Sequence, residues 1–294
     1  MEMRQLEYFI AVAEEASFTR AAERVHISQS GVSAQIRQLE HDLGAALLDR
    51  SGRETTLTAA GSAAIAPARA VLAAAGAVRQ AVDEVNGLLR GRLVIGMVTA
   101  CTVTPLFEAL AAFHQSHPGV EISLLEGNSD VLTAQVRAGL ADLALIGSAG
   151  APPDDLEALT IISEPLAAAV PPGPPLAGRG RVTLADLAGY PIVSLPEGTG
   201  VRAVFDQSCL ASGVRPDIAL QASAPGSVAD LAVRGLGVAI LSQSMAAGHA
   251  GRLRAVAIDG LAMPAVLALV WAPDPGPALR ELLAHTRETF GPAR

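Results

Sequence analysis

Between Leu6 and Leu57 the apolar positions fall into three short runs at helical spacing, followed by a strand-like pair. Leu6, Phe9, Ile10 and Ala13 share one face of a first helix, predicted from Gln5 to Glu14. Phe18, Ala21, Ala22 and Val25 keep the i, i+3, i+4, i+7 spacing of a second, with Ser17 placed to accept from its open amides. Ser28 is placed to cap a third helix, in which Val32, Ile36, Leu39 and Leu43 form the apolar stripe and Gly44 supplies the left-handed stop. That stripe leaves Ser30, Ser33, Ala34 and Arg37 pointing away from the core. Leu47 to Arg50 and Thr55 to Leu57 flank a turn at Ser51-Gly52 and predict a hairpin bearing Arg50 and Arg53, after which Thr58 opens another helix.

From Ala59 to Leu89 the chain is mostly Ala, Val and Leu, so one long helix is expected, bent at Pro67. Its apolar face is too long for the small head, and burial against a second copy or against its own chain are the two uses open to it. Beyond Arg92 the pattern changes to strands alternating with helices, which predicts parallel sheets with crossover helices. Strands are expected at Leu93 to Val98, Val120 to Glu126 and Leu143 to Ile146, with helices at Thr102 to Ser116 and Ser129 to Ala138. A second such unit has strands near Leu166 to Val170, Ile192 to Leu195, Ile218 to Gln221 and Val238 to Leu241, helices near Val201 to Ala211 and Ser227 to Arg234, and a surface turn at Pro171 to Gly180. Ala265 to Trp271 reads as a strand returning to the first unit and Ala278 to Phe290 as its last helix, so the chain crosses near Ser163 to Leu166 and near Met263 to Leu267.

Two packed helices with small polar groups and an Arg on the outer face match a helix-turn-helix entering the major groove, or else a helical hairpin inside a larger domain. The motifs that surround the pair resemble the LysR-type transcriptional regulators: Leu6 to Val12, Ser17 to Ala22, Ser28-Gln29-Ser30 with Val32-Ser33, Gln35-Ile36 with Leu39-Glu40, Leu43-Gly44, Arg50, and Leu57-Thr58 followed by Ala60-Gly61. Two positions depart from that pattern: Ala34 stands where the family often has a basic residue, and Leu48 where it usually has Phe. The resemblance implies an α/β protein with an N-terminal all-α winged helix-turn-helix (residues 1–58), a linker and dimerisation helix (59–90) and a regulatory domain (91–294) similar to periplasmic solute-binding proteins. Its first subdomain would comprise about 91–163 and 268–294, its second about 164–267. Double-stranded DNA, a small-molecule effector, a second copy (homodimer or homotetramer) and RNA polymerase are the partners implied. On DNA, Gln29, Ser30 and Ser33 are expected at base edges beside Arg37, with Arg50 and Arg53 on the backbone.

Composition refines this picture in a few places. A chain of 294 residues with 50% hydrophobic and 17% charged residues supports two or three domains, and with only 3% aromatics its cores must be aliphatic, the lone Trp271 among them. The net charge of -8 counts against general affinity for nucleic acid, so a local patch of Arg, the only strong base in the sequence, must do the work. No apolar span long enough for a membrane helix and no signal peptide are expected, which places the protein in the cytoplasm without a membrane partner. Cys101 and Cys209 lie far apart without ligand spacing; ordinary burial is expected, and a redox-responsive regulator using one of them is the alternative the resemblance leaves open. The six histidines are scattered and no Gly-rich phosphate loop follows a strand, so catalysis, a metal and a cofactor are not expected. A small-molecule-binding protein with no catalytic role would explain the second half but not the first.

Strand ends facing helix starts are where ligands bind in such sheets. Thr99 and Thr102 follow the first strand of the regulatory half, Asn128 the second, Thr199 precedes a helix on the opposite side, and each could equally be a helix cap. By matching strand ends to the resembled family, Thr99, Thr102, Asn128, Ser148 and Thr199 are expected as effector contacts, with Ser223 and Arg202 beside them, for a small polar or anionic organic ligand.

Overall fold

The computed structural model describes residues 1–52, 54–85, 89–100, 103–173 and 175–290, with the side chains of 77, 79–81 and 83–85 left aside. The chain divides into two compact units, Met1–Leu88 with Ala138–Leu140, and Leu89–Arg137 with Ala141–Arg294.

In the first unit, α1 (Met3–Glu15), α2 (Phe18–Arg24) and α3 (Gln29–Leu43) pack around Phe9, Val12, Ala21, Val32, Ile36 and Leu39, all fully buried. Local chemistry sets the boundaries. Ser17 Oγ accepts from the Arg20 amide at 3.4 Å, Ser28 Oγ from the Gly31 amide at 3.1 Å, and Gly44 closes α3 at φ +69°. Leu43, expected in the apolar stripe, is 47% exposed: it sits in the last turn of α3, and Leu47, after Gly44 has reversed the chain, fills the core instead. The predicted hairpin forms from β1 (Leu48–Asp49) and β2 (Thr56–Leu57), antiparallel with Leu48 opposite Leu57. Its return arm is tied back where the Thr55 amide donates to Ala16 O between α1 and α2, at 3.1 Å.

Helix α4 (Ala59–Val85) starts under Thr58, whose Oγ1 accepts from the Gly61 amide at 3.0 Å. It is continuous through Pro67, and positions 86–88 of the predicted helix lie outside the described residues. One sequence expectation fails here. Ala59–Gly76 is apolar enough by length and composition to cross a membrane, with a mean hydropathy of 1.3. Alanine supplies that value, and Ala64, Ile65, Ala68 and Leu72 use it to pack on the head.

The second unit holds two sheets. Strands β3 (Gly91–Val98), β4 (Val120–Gly127), β5 (Leu143–Ala149), β6 (Glu157–Glu164) and, from the end of the chain, β13 (Ala265–Trp271) form lobe I in the order β4-β3-β5-β13-β6. Alternation along β3 sends Leu93, Ile95 and Met97 to the face covered by α5 (Thr104–Ser116) and α11 (Pro277–Phe290), while α6 (Ser129–Arg137) covers the other face. Lobe II contains β7 (Leu166–Val170), β8 (Arg181–Thr183), α7 (Leu184–Leu187), β9 (Pro191–Ser194), α8 (Gly200–Ala211), β10 (Asp217–Gln221), α9 (Pro225–Val233), β11 (Val238–Ser242), α10 (Gln243–Ala247) and β12 (Arg254–Asp259). Its sheet runs β10-β9-β11-β7-β12-β8.

Both sheets are mixed rather than parallel as expected. β13 runs antiparallel to β5 and β6, and β7 antiparallel to β11 and β12, because the strands that carry the chain from one lobe to the other enter each sheet in reverse. Strands β6, β8 and β12 were not expected: β6 and β8 are sheet edges, and all three carry charged residues that blur the apolar signal. The expected surface turn at Pro171 to Gly180 buries Leu176 and Ala177 in the core of lobe II. The chain changes lobes between β6 and β7 and again between β12 and β13.

Candidate nucleic-acid interface and candidate effector cleft

On the first unit, the outer side of α3 presents Gln29, Ser30 and Arg37 to solvent with Ser33 half-buried beside them. Ser30 Oγ lies 3.2 Å from the capping Ser28 Oγ, and Arg37 has no ion-pair partner among the described residues. Arg4, also exposed, has no ion-pair partner among the described residues either, whereas three other arginines are engaged. Arg24 meets Glu14 at 2.7 Å, Arg69 meets the same carboxylate at 2.9 Å, and Arg20 is held at Glu15. Glu14 and Glu15 are taken up in these pairs, and none of the described acids lies within ion-pair distance of Arg37 on the α3 face.

Arg50 is committed as well. Its Nη2 donates to Glu40 at 2.8 Å and its guanidinium stacks over Phe18, so it joins the hairpin to α3 and α2 before it can meet anything outside. Asp49 accepts from both the amide and hydroxyl of Ser51 and shapes the turn. Those donors hold its carboxyl below the usual range. Arg53 lies outside the described residues.

In the second unit a cavity of about 320 Å³ opens between lobe I and lobe II, near the lower end of the range of about 300–1,000 Å³ usual for small-molecule sites. Thr99 and Asn128 line it from lobe I; Thr199 and Ser223 line it from lobe II. Thr102 lies outside the described residues, as does Cys101. Two expected contacts are not in this cavity. Ser148 lines a neighbouring cavity with Asp130, Thr133 and Arg137, which shares Ser129, Gly147, Thr199 and Gly200 with the first. Arg202 is buried and turned along its own helix, where Nε donates to both Asp206 carboxylate oxygens at 2.8 Å.

The lining hydroxyls also serve the fold. Thr199 Oγ1 donates to Pro196 O at 2.8 Å, and Asn128 Oδ1 accepts from the Val131 amide at 2.9 Å. The lobes meet at the back of the cleft. The Ser129 amide donates to Gly198 O at 3.1 Å, and Gly200 comes so close to β5 that a Cβ there would lie 2.5 Å from Ser148 N. Sequence reasoning missed Glu164, Ser242, Ser244 and Met245, which complete the wall at the hinge. Glu164 ends the unrecognised β6, but Ser242 closes a recognised strand and Ser244 follows it in α10, so both could have been found at that strand's end. Ser244 donates its hydroxyl to Glu164 at 2.6 Å.

Cys209 lies on α8 in the core of lobe II, and burial with Asp206 nearby pushes its thiol up to about 11. A peroxide-reactive cysteine needs the opposite, an exposed thiol with a lowered value.

Residues 3–62 match the family described as bacterial regulatory helix-turn-helix protein, lysR family, and residues 86–291 match the LysR substrate binding domain. The chain is 33% identical to the uncharacterized HTH-type transcriptional regulator YnfL of Escherichia coli K12, with 97% of each chain covered. It is 34% identical to the RuBisCO operon transcriptional regulator of Allochromatium vinosum, over 82% of this chain and 80% of that one. Among solved structures, CbnR complexed with its target DNA superposes with a TM-score of 0.61 at 28% identity, covering 98% of this chain and 100% of that one. A full-length OxyR variant from Pseudomonas aeruginosa shares the fold, with a TM-score of 0.73 at 24% identity over 98% and 95% of the two chains.

Proposed function

The chain belongs to the LysR family of bacterial transcriptional regulators, helix-turn-helix proteins with a C-terminal ligand-binding domain, and from that premise we propose how its residues divide the work. Helix α3 lies in the major groove with Gln29, Ser30 and Ser33 at base edges and Arg37 on the phosphates beside them. The wing arginines split: Arg50 orients the hairpin through Glu40, and Arg53 meets the backbone. The observation that carries this reading is the exposed Arg37, without an ion-pair partner among the described residues, on the same outer face of α3 as Gln29 and Ser30.

One head binds weakly, because a single α3 face offers few phosphate contacts. Val71 and Val78, exposed two turns apart on α4, supply an apolar stripe on which a second copy packs, so two heads share one operator. The cleft lined by Thr99, Asn128, Thr199 and Ser223 takes the effector, and the two lobes joined by two crossings close on it as a hinge. The protein acts in the cytoplasm by binding, not catalysis, and passes the signal to RNA polymerase.

Footprinting of the full chain on DNA fragments it selects from its own genome tests this reading. Protection of two half-sites related by a dyad is expected, and Val71→Asp with Val78→Asp should reduce both protection and the mass seen by light scattering. A monomer that protects a single site with equal affinity would reject it.

A further inference from the structure

The cleft has an unusual charge for a site expected to hold an organic anion. Among the described residues that line it, the one ionisable side chain is an acid, Glu164; no arginine or histidine reaches the wall. Glu164 has no cation within ion-pair distance among the described residues. It is held instead by Ser244, whose amide lies 3.1 and 3.2 Å from the two carboxylate oxygens and whose hydroxyl donates at 2.6 Å. Next to it Ser242, only 4% exposed, lines the cavity with no side-chain hydrogen bond to any described residue. The rest of this end of the wall is apolar: Ile162, Met245, Ala265 and Leu267.

Helix ends would be the remaining source of attraction for an anion, and those that line the cleft are partly filled, the start of α10 by Glu164 itself. Asn128 already accepts from the first turn of α6. α9 begins with Pro225, which has no amide to offer. α8 begins at Gly200, pressed against the β5 backbone. A carboxylate ligand would therefore be desolvated beside Glu164 with no cation in the lining to compensate it.

We propose that the cleft selects an uncharged or cationic, largely apolar molecule that donates a hydrogen bond to Glu164, and that it rejects organic acids. The proposal rests on the cleft being the effector site and names the chemistry of what fills it. It also gives the ligand a route to the hinge: Glu164 is the last residue of β6, pairs across the sheet with Ala265 at the start of β13, and is hydrogen-bonded to lobe II through Ser244. A donor reaching Glu164 thus touches both lobe crossings at once.

Thermal shift of the full chain with three probes of one shape tests it: 4-phenylbutylamine, 4-phenyl-1-butanol and 4-phenylbutyrate at millimolar concentration. The amine, the alcohol or both should raise the melting temperature and the acid should not. Glu164→Gln keeps an acceptor for Ser244 and so keeps the fold, but should weaken the amine by about ten- to hundredfold, the loss of one charge-assisted hydrogen bond. Stabilisation by the acid equal to that by the amine, unchanged amine affinity in Glu164→Gln, or no shift with either donor overturns the proposal. Ser223→Trp, on the exposed rim, separates this from failure of the site itself. If the acid binds and Ser223→Trp abolishes its effect, the cleft remains the site and only the ligand class falls; if Ser223→Trp changes nothing, the site is elsewhere and both fall.

Discussion

Arg50 and Glu40 are joined at 2.8 Å across the gap between the wing and α3, with the Arg50 guanidinium 4.8 Å from the ring centre of Phe18. The second oxygen of Glu40 accepts from the amides of Leu47 and Leu48 at 2.9 and 3.2 Å. One carboxylate thus fixes the start of β1 and the arginine that follows it. Removing it in Glu40→Ala strands two backbone donors, a loss of about 1–3 kcal/mol, and should lower both the melting temperature of the head and its DNA affinity. Glu40→Gln retains an acceptor and should lose clearly less. Equal losses in the two variants would mean that the ion pair, and not the amides, holds the wing.

Arg37 and Arg24 differ in what they face. Arg24 is already held at Glu14, 2.7 Å away, whereas Arg37 stands without an ion-pair partner among the described residues. Arg37→Ala should weaken operator binding and reduce the salt slope of log K by about 1. Arg24→Ala should leave the slope unchanged. Fluorescence anisotropy titrations over a range of salt concentrations read both.

Gly200 marks where lobe II touches lobe I. A Cβ added there would lie 2.5 Å from Ser148 N and 2.6 Å from Gly147 C, both backbone atoms that cannot turn away. Gly200→Ala should destabilise the regulatory unit by about 1–3 kcal/mol through overpacking and weaken any cleft ligand by holding the lobes apart. Gly178→Ala, where a Cβ meets nothing within 4 Å, is the control and should melt as the wild type does.

Cys209 predicts a pH dependence of stability. Its thiol holds its proton up to about 11 in the folded protein against an ordinary value of 9.0, so burial stabilises the fold fully below pH 9.0 and that contribution is lost as pH rises from 9.0 towards 11. Cys209→Ala should flatten the decline of melting temperature over that window. In the native protein near neutral pH, iodoacetamide should modify Cys209 far more slowly than in denaturant. Rapid modification of Cys209 by peroxide without unfolding would favour the redox reading at this residue.

Local chemistry was enough to locate the head. Ser17, Ser28 and Gly44 end their helices whatever surrounds them, and the apolar spacing through Val32, Ile36 and Leu39 admits one buried face, so α2, α3 and the outward side of α3 follow from the residues themselves. The same holds for β13, an uninterrupted apolar run from Ala265 to Trp271, and for the two lobe crossings that it and β7 define. Local rules could not give the partners of each side chain. Arg50 and Arg37 are alike in sequence, yet a carboxylate ten residues back along the chain claims the first and none among the described residues claims the second. Leu43 fits the α3 stripe but is 47% exposed in its last turn, while Leu47 takes the core position. Ser148 and Gly147 are neighbours on β5, yet Gly147 lines both cavities and Ser148 only the second, which depends on how α8 packs against the strand. Glu164, Ser242 and Ser244 come from β6, β11 and α10, and only the return of the chain through the hinge sets them on one wall. Helix caps and hydrophobic periods act over a few residues and are written in order along the chain. Charge pairing and cavity lining act across space between segments far apart in sequence, so the tertiary structure decides them.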